Sequence, residues 1–134
     1  SILIILLNFA TPRIINHSVF LKMEARKLCW EIRNLRTLNM SESELYEITL
    51  TQEGYTLSLG TKDIKKTNIS KSFQVFDNFN DKNGMYSEIS FSHDGAPSYA
   101  GTIEVMNRHT RQYMRIKIVP YSGRVQLDST IYSR

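Results

Sequence analysis

Cysteine is nearly absent: Cys29 stands alone in 134 residues. No disulfide within the chain can staple the fold, so stability must come from packing. Ala25 and Ile32 lie beside it in helical spacing, and we expect the thiol to act as a small buried hydrophobe. Histidines are as sparse. His17, His93 and His109 are far apart and none falls at a metal-binding i, i+4 spacing, which excludes a zinc motif. Each is expected at the surface. There is no Gly-x-Ser-x-Gly elbow and no glycine-rich phosphate loop. Asp94 has no second carboxylate positioned with it, and beside Gly95 it reads as a turn residue. Residues 77–84, Asp-Asn-Phe-Asn-Asp-Lys-Asn-Gly, fail as a calcium loop. Taking Gly84 as the loop glycine places Phe79 at the first ligand position and Asp81 at the third. With no catalytic or ligating constellation, we expect a protein that is not an enzyme and needs no cofactor.

Charge of one sign is lacking too. Seventeen basic residues face thirteen acidic ones, a net charge of +4, which permits phosphate contact without demanding it. Arg108, His109, Arg111, Arg115, Lys117 and Arg124 form the nearest thing to a basic cluster and read as the solvated face of two strands and a hairpin. Asn16-His17-Ser18, Asn39-Met40-Ser41 and Asn68-Ile69-Ser70 fit the glycosylation pattern. Two of them fall within the helix described next, where a surface loop is normally required, so we read the matches as coincidence.

What is present begins with residues 1–40, which read as one helix in two unlike halves. In the first, residues 1–16, six aliphatic residues run from Ile2 to Leu7, so that end is apolar on every side. A spanning helix needs about 20 apolar residues. Asn8 and Arg13 dilute this run well before that, and we expect a longer apolar segment upstream with a membrane or filament-core role. A signal-peptide core has a similar length, but no basic region precedes it and no small-residue cleavage site follows. Pro12 removes one backbone donor, which predicts a kink or local unwinding between Asn8 and Arg13. In the second half, residues 17–40, apolar side chains recur at Leu21, Ala25, Leu28, Ile32, Leu35 and Leu38, with charges on the other sides. That stripe predicts packing against one apolar surface.

Residues 41–134 read as a globular β head. Tyr46, Ile48 and Leu50, then Tyr55, Leu57 and Leu59, alternate around a turn at residues 51–54, which predicts a β-hairpin. Residues 60–71 are polar and read as a loop, followed by a short strand over 72–76 and a second loop over 77–84. Further on, Ile89 and Phe91, Ile103 and Val105, Met114 with Ile116 and Ile118, and Val125 with Leu127 mark inward faces separated by turn residues. These predict an antiparallel meander covered by the helix stripe, in an α+β fold with a long N-terminal helix packed on an antiparallel sheet. Leu21, Ala25, Leu28, Ile32 and Leu35 are the expected packing residues.

This arrangement resembles type IV pilin-like subunits. The segments Ile89-Ser90-Phe91-Ser92-His93-Asp94-Gly95, Gly101-Thr102-Ile103-Glu104-Val105, Ile116-Lys117-Ile118-Val119 and Ser122-Gly123-Arg124-Val125 are similar to the tail of minor pseudopilins of the GspH/FimT type. They come closest to the competence branch, the ComGD pseudopilins. The family's leader, a glycine before Phe-Thr-Leu and a glutamate five residues into the mature helix, is not in this sequence. The resemblance implies a minor subunit of a type IV-type pseudopilus. The filament it implies first is the competence pseudopilus used for DNA uptake, with a type II secretion pseudopilus as the alternative. It further implies other pilin-like subunits as partners, a membrane met through the N-terminal helix, and a place at the cell membrane and cell surface. Gly95, Gly101, Gly123 and Arg124 carry the family's turns. Gly123 is expected at positive φ, with Arg124 reaching loop carbonyls or a neighbouring subunit. From a different class, a DNA-binding head would use Arg108, Arg111 and Lys117 as phosphate contacts.

Overall fold

The structure, a computed structural model, describes the backbone of residues 2–51, 53–78 and 87–134, and the side chains of residues 18–51, 53–78 and 87–134. Among the described residues, one helix and nine strands follow one another. Helix α1 (Ile2–Ser41) leads to β1 (Glu47–Thr51), β2 (Gly54–Leu59), β3 (Lys62–Asn68), β4 (Phe73–Asp77), β5 (Ser87–Ser90), β6 (Gly101–Asn107), β7 (Gln112–Ile118), β8 (Val125–Leu127) and β9 (Tyr132–Ser133). Two antiparallel sheets result, ordered β3-β2-β1-β5 and β4-β6-β7-β8, with β9 added to β7.

The helix rests on both sheets, touching β6, β7 and β8 of one and β1 and β5 of the other. Its steps of four and three bring Leu21, Ala25, Leu28, Ile32 and Leu35 onto one face, where each is at most 1 % exposed. Period-two alternation does the same in the sheets. Ile48 and Leu50 of β1, Ile103 and Val105 of β6, and Met114, Ile116 and Ile118 of β7 point into the same apolar cluster as the helix stripe. Cys29 is buried beside that stripe, and burial pushes its thiol pKa up, partly opposed by Arg33. A thiol held neutral in this way is a poor nucleophile.

Three expectations are corrected. Residues 60–71 are not a loop, because β3 runs through them and pairs antiparallel with β2, with a register shift between Leu57 and Ser58. Its side chains are almost all exposed, so hydrophobic alternation, the signal of a half-buried strand, is missing. Backbone pairing alone makes the strand, and its lysines suit an unpaired sheet edge. The last fifty residues are not one meander either. β6, β7 and β8 follow in order, but β5 joins β1 in the other sheet, with Ile89 opposite Ile48 on the inner face. Two strands of equal pattern are interchangeable in sequence, and the choice of partner is made only in the assembled fold. Lastly, α1 continues through Pro12 as one helix, so of the expected kink or local unwinding the unwinding is not seen. One lost donor leaves the other bonds of a long helix in place. The short strand expected over 72–76 appears as β4. The loop expected over 77–84, with its rejected calcium frame, lies largely outside the described residues, as do the side chains of the first seventeen, His17 included.

Truncating a buried Leu or Ile to Ala costs about 2–5 kcal/mol, and a domain of this size has about 5–15 kcal/mol in hand. Leu28→Ala combined with Ile32→Ala is therefore expected to unfold the head or leave it molten, which thermal unfolding followed by near-UV circular dichroism would show. A variant melting like the parent would refute the helix as cover.

Tyr55 yields a pH prediction. Burial, with Glu31 nearby, pushes its phenol up to about 12 from 10.0. A folded-state pKa above the unfolded one contributes stability that is complete below pH 10 and lost as pH rises toward 12. Urea unfolding at pH 8 and at pH 11.5 should show a smaller alkaline loss for Tyr55→Phe than for the parent chain.

Candidate functional site

Two turns of the head meet the last two turns of α1. Arg36 joins them, its Nε donating to the Gly95 carbonyl and its Nη2 to the Ser122 carbonyl, both at 3.0 Å. One turn earlier, Arg33 Nε donates to the Val125 carbonyl at 3.0 Å. Charge-assisted bonds of this kind are among the stronger ones, and three from one helix flank set its position against both turns. The turns close only because of their glycines. Gly95 and Gly123 have φ of 85° and 69°, in the left-handed region where a side chain is strained. A Cβ on Gly123 would collide with the Gly95 carbonyl oxygen, and one on Gly95 would meet Arg36 Nη2 at 2.8 Å and Met40 Sδ at 2.9 Å.

Asn39 completes the junction. It is fully buried, and its Nδ2 donates to the Tyr46 carbonyl at 2.8 Å and the Phe91 carbonyl at 3.0 Å, while its Oδ1 accepts from the Tyr46 N–H at 2.8 Å. One side chain thus binds the helix end, the entry to β1 and the end of β5 together. The Asn39 carbonyl in turn accepts from His93 Nδ1 at 2.8 Å. Because a carbonyl only accepts, Nδ1 carries the proton, and His93 caps an orphan carbonyl of the last helical turn. Burial also removes Asn39 as a glycosylation acceptor.

The sequence-predicted residues divide. Leu21, Ala25, Leu28, Ile32 and Leu35 lie in the core. Gly95 and Gly123 are brought into contact, whereas Gly101 stands at the start of β6 opposite Ile118, with no left-handed φ. Arg124 is exposed. The nearby Gly95 and Ser122 carbonyls accept from Arg36, and the Val125 carbonyl accepts from Arg33. Arg108 and Arg111 flank the β6–β7 turn. Arg108 Nε donates to the Phe73 carbonyl at 3.3 Å, and Arg111 has φ of 62°. Lys117 is six residues further along β7, about 20 Å away at strand rise, so the three cations are not gathered into one patch. Sequence reasoning missed Arg33, Arg36, Asn39 and the capping role of His93. A signal existed for one of them: Asn39 follows Leu35 by four and extends the apolar stripe with an amide.

On the outer face of the second sheet, Tyr113 and Tyr132 stack with ring centroids 5.3 Å apart, and the Arg115 guanidinium lies 4.4 Å from the Tyr132 centroid. Arg115 and Arg134 share Glu104, at 3.4 and 2.6 Å. The Tyr132 hydroxyl donates to Asp128 Oδ2 at 2.7 Å. That bond holds the Asp128 carboxyl below its ordinary range and the Tyr132 phenol above its own. These contacts pin β9 to β7. Among the described residues, no group of three His, Cys, Asp or Glu side chains is placed to hold a metal ion, and no helix is long and apolar enough to cross a membrane. The arrangement can fix a helix to a head and present surfaces.

No protein-family model matches the chain, and no curated protein matches its sequence. Among solved structures it is similar to the minor pseudopilin EpsH from the Type 2 Secretion System of Vibrio cholerae, with a TM-score of 0.63 and 10% sequence identity over 81% of this chain and 95% of that one. At that identity the likeness establishes the fold, which is the α+β fold of a minor pseudopilin: one N-terminal helix on antiparallel sheets.

Asn39→Ala would leave the Tyr46 N–H and the Tyr46 and Phe91 carbonyls without their partner. Each such group costs about 1–3 kcal/mol when it stays buried. A loss of about 3 kcal/mol or more in unfolding free energy by urea titration is expected, and a loss under about 1 kcal/mol would refute the role given to this amide.

Proposed function

We infer that the chain is a minor pilin-like subunit of a type IV-type pseudopilus. Its work is assembly: the apolar half of the helix, residues 1–16, anchors it in the membrane and then packs among other helices in the filament, while the head is carried outside. The observation that carries this reading is the pseudopilin fold, matched over nearly the whole of a solved minor pseudopilin. The meeting of the turn glycines Gly95 and Gly123 on the helix adds support. The filament we assign is the competence pseudopilus, on the resemblance of the segments around Phe91, Gly101 and Gly123. A type II secretion pseudopilus is the second reading, favoured by the system to which the similar structure belongs.

Direct DNA binding by the head is the weaker partner assignment, since Arg108 and Arg111 stand apart from Lys117 and one carbonyl already occupies Arg108. Phosphate neutralisation raises affinity with each cation engaged, and scattered cations engage few phosphates at once.

A strain lacking the gene and complemented with variants tests the reading. The parent chain should restore filament assembly and transformation. Ile4→Asp with Leu7→Asp should restore neither while the head melts as before, because charges in the apolar half oppose membrane insertion. Arg108→Gln with Arg111→Gln and Lys117→Gln should still assemble. Transformation at parental level in the deletion strain, with protein secretion lost, would move the chain to the secretion filament. Filaments of normal number and composition without the chain would overturn the subunit reading.

A further inference from the structure

The described part of α1 carries a second stripe. Met23 and Trp30 project from the side opposite Leu28 and Ile32, and Trp30 is 61 % exposed. Together with Leu127 at the sheet edge they line a groove of about 630 Å³ bordered by Arg26 and Lys27. At 100° per residue these two cations stand on either side of the Met23–Trp30 ridge. An indole left largely in water on a rigid helix, between two cations, is a surface suited to an apolar segment with acidic neighbours.

Such a segment exists in the same chain. Where α1 ends, Met40 and Leu45 are 46 % and 45 % exposed, and Glu42 and Glu44 between them are exposed. Among the described residues neither glutamate takes part in an ion pair. The two surfaces match in kind: apolar side chains with two acids against an apolar groove lined by three bases, Arg26, Lys27 and Arg33, and one acid, Glu24. They cannot meet within one molecule. Both belong to the same helix and its immediate exit, with about 15 residues between their centres, and a helix rises about 1.5 Å per residue. That leaves them about 20 Å apart on a rigid rod.

We propose that residues 40–45 of one copy dock in the Met23–Trp30 groove of a second copy. The contact joins unlike surfaces, so it does not close on itself and repeats as a head-to-tail series. This proposal rests on the subunit reading in one respect. Copies whose apolar helix halves enter one membrane or filament core run parallel, and in parallel copies this contact imposes an axial stagger of about 20 Å between neighbours, from the rise per residue.

The full chain in detergent micelles, with Cys29→Ser, supports a cross-linking test. One chain carries Met23→Cys, the other Leu45→Cys. The mixture should form a disulfide-linked dimer under mild oxidation, and neither chain alone should do so to a comparable extent. Arg26→Glu with Lys27→Glu in the Met23→Cys chain should lower the yield about fivefold or more, and Glu42→Lys with Glu44→Lys in the partner should restore it, since reversing both signs rebuilds the attraction. Trp30→Ala should lower the yield without charge change. The melting temperature of each variant is measured alongside and should equal that of the Cys29→Ser chain, the further substituted side chains being exposed. A dimer formed to a comparable extent by either single-cysteine chain alone, a yield indifferent to charge reversal, or cross-linking only to a different pilin-like subunit would each overturn the proposal. Filament incorporation is scored separately in cells. Incorporation of the parent without the Met23–Leu45 cross-link overturns the docking and leaves the subunit reading standing, whereas failure of the parent to incorporate counts against that reading itself.

Discussion

Everything in this molecule depends on burying one face of one helix. The two sheets contribute inner faces rich in Ile, Val and Met, and neither can hide that surface alone. The side chains of Leu21, Ala25, Leu28, Ile32 and Leu35 fill the space they leave. At about 25 cal/mol per Å² of apolar surface removed from water, this contact is the main favourable term available to a chain with one cysteine. Helix and head are accordingly one folding unit from residue 21 onward, even though the helix extends beyond it at its N-terminal end.

Hydrophobic burial is not directional, so it leaves the helix free to slide or roll on the sheets. Polar contacts at the far end remove that freedom. Asn39, Arg33 and Arg36 bond backbone groups of the β1 entry, the β5 exit, the start of β8 and the two turns, and His93 bonds the Asn39 carbonyl of the helix, each bond with a definite direction and length. The two left-handed glycines let the turns come close enough for one guanidinium to reach both. Any force or register applied to the helix reaches the head only because the angle between them is fixed.

The same helix has two occupied sides and one that faces water. Its stripe of Leu and Ile is spent on the head, its Arg33–Arg36 flank on the turns, and Met23 with Trp30 remain exposed. That division separates the side chains that hold the fold from those on the exposed ridge, so changes on the ridge leave the core untouched.

The fold was legible wherever side-chain burial follows a period. Steps of three and four named the helix stripe, and steps of two named the inner faces of β1, β6 and β7, because in those elements the period of the backbone and the demand for burial coincide. β3 was not legible, since both of its faces meet water and only its pairing with β2 makes it a strand. Nor was the partner of β5, because Ile89 and Phe91 suit either sheet. At the candidate site, the glycines of both turns could be picked out along the chain, but their contact could not, since 28 residues separate Gly95 from Gly123 in the numbering. What Arg36 holds, and why Asn39 is polar in an apolar stripe, was decided only by the tertiary structure. Hydrogen bonds to backbone carbonyls carry no residue signature on the accepting side, and such acceptors exist at a given place only once the chain has folded.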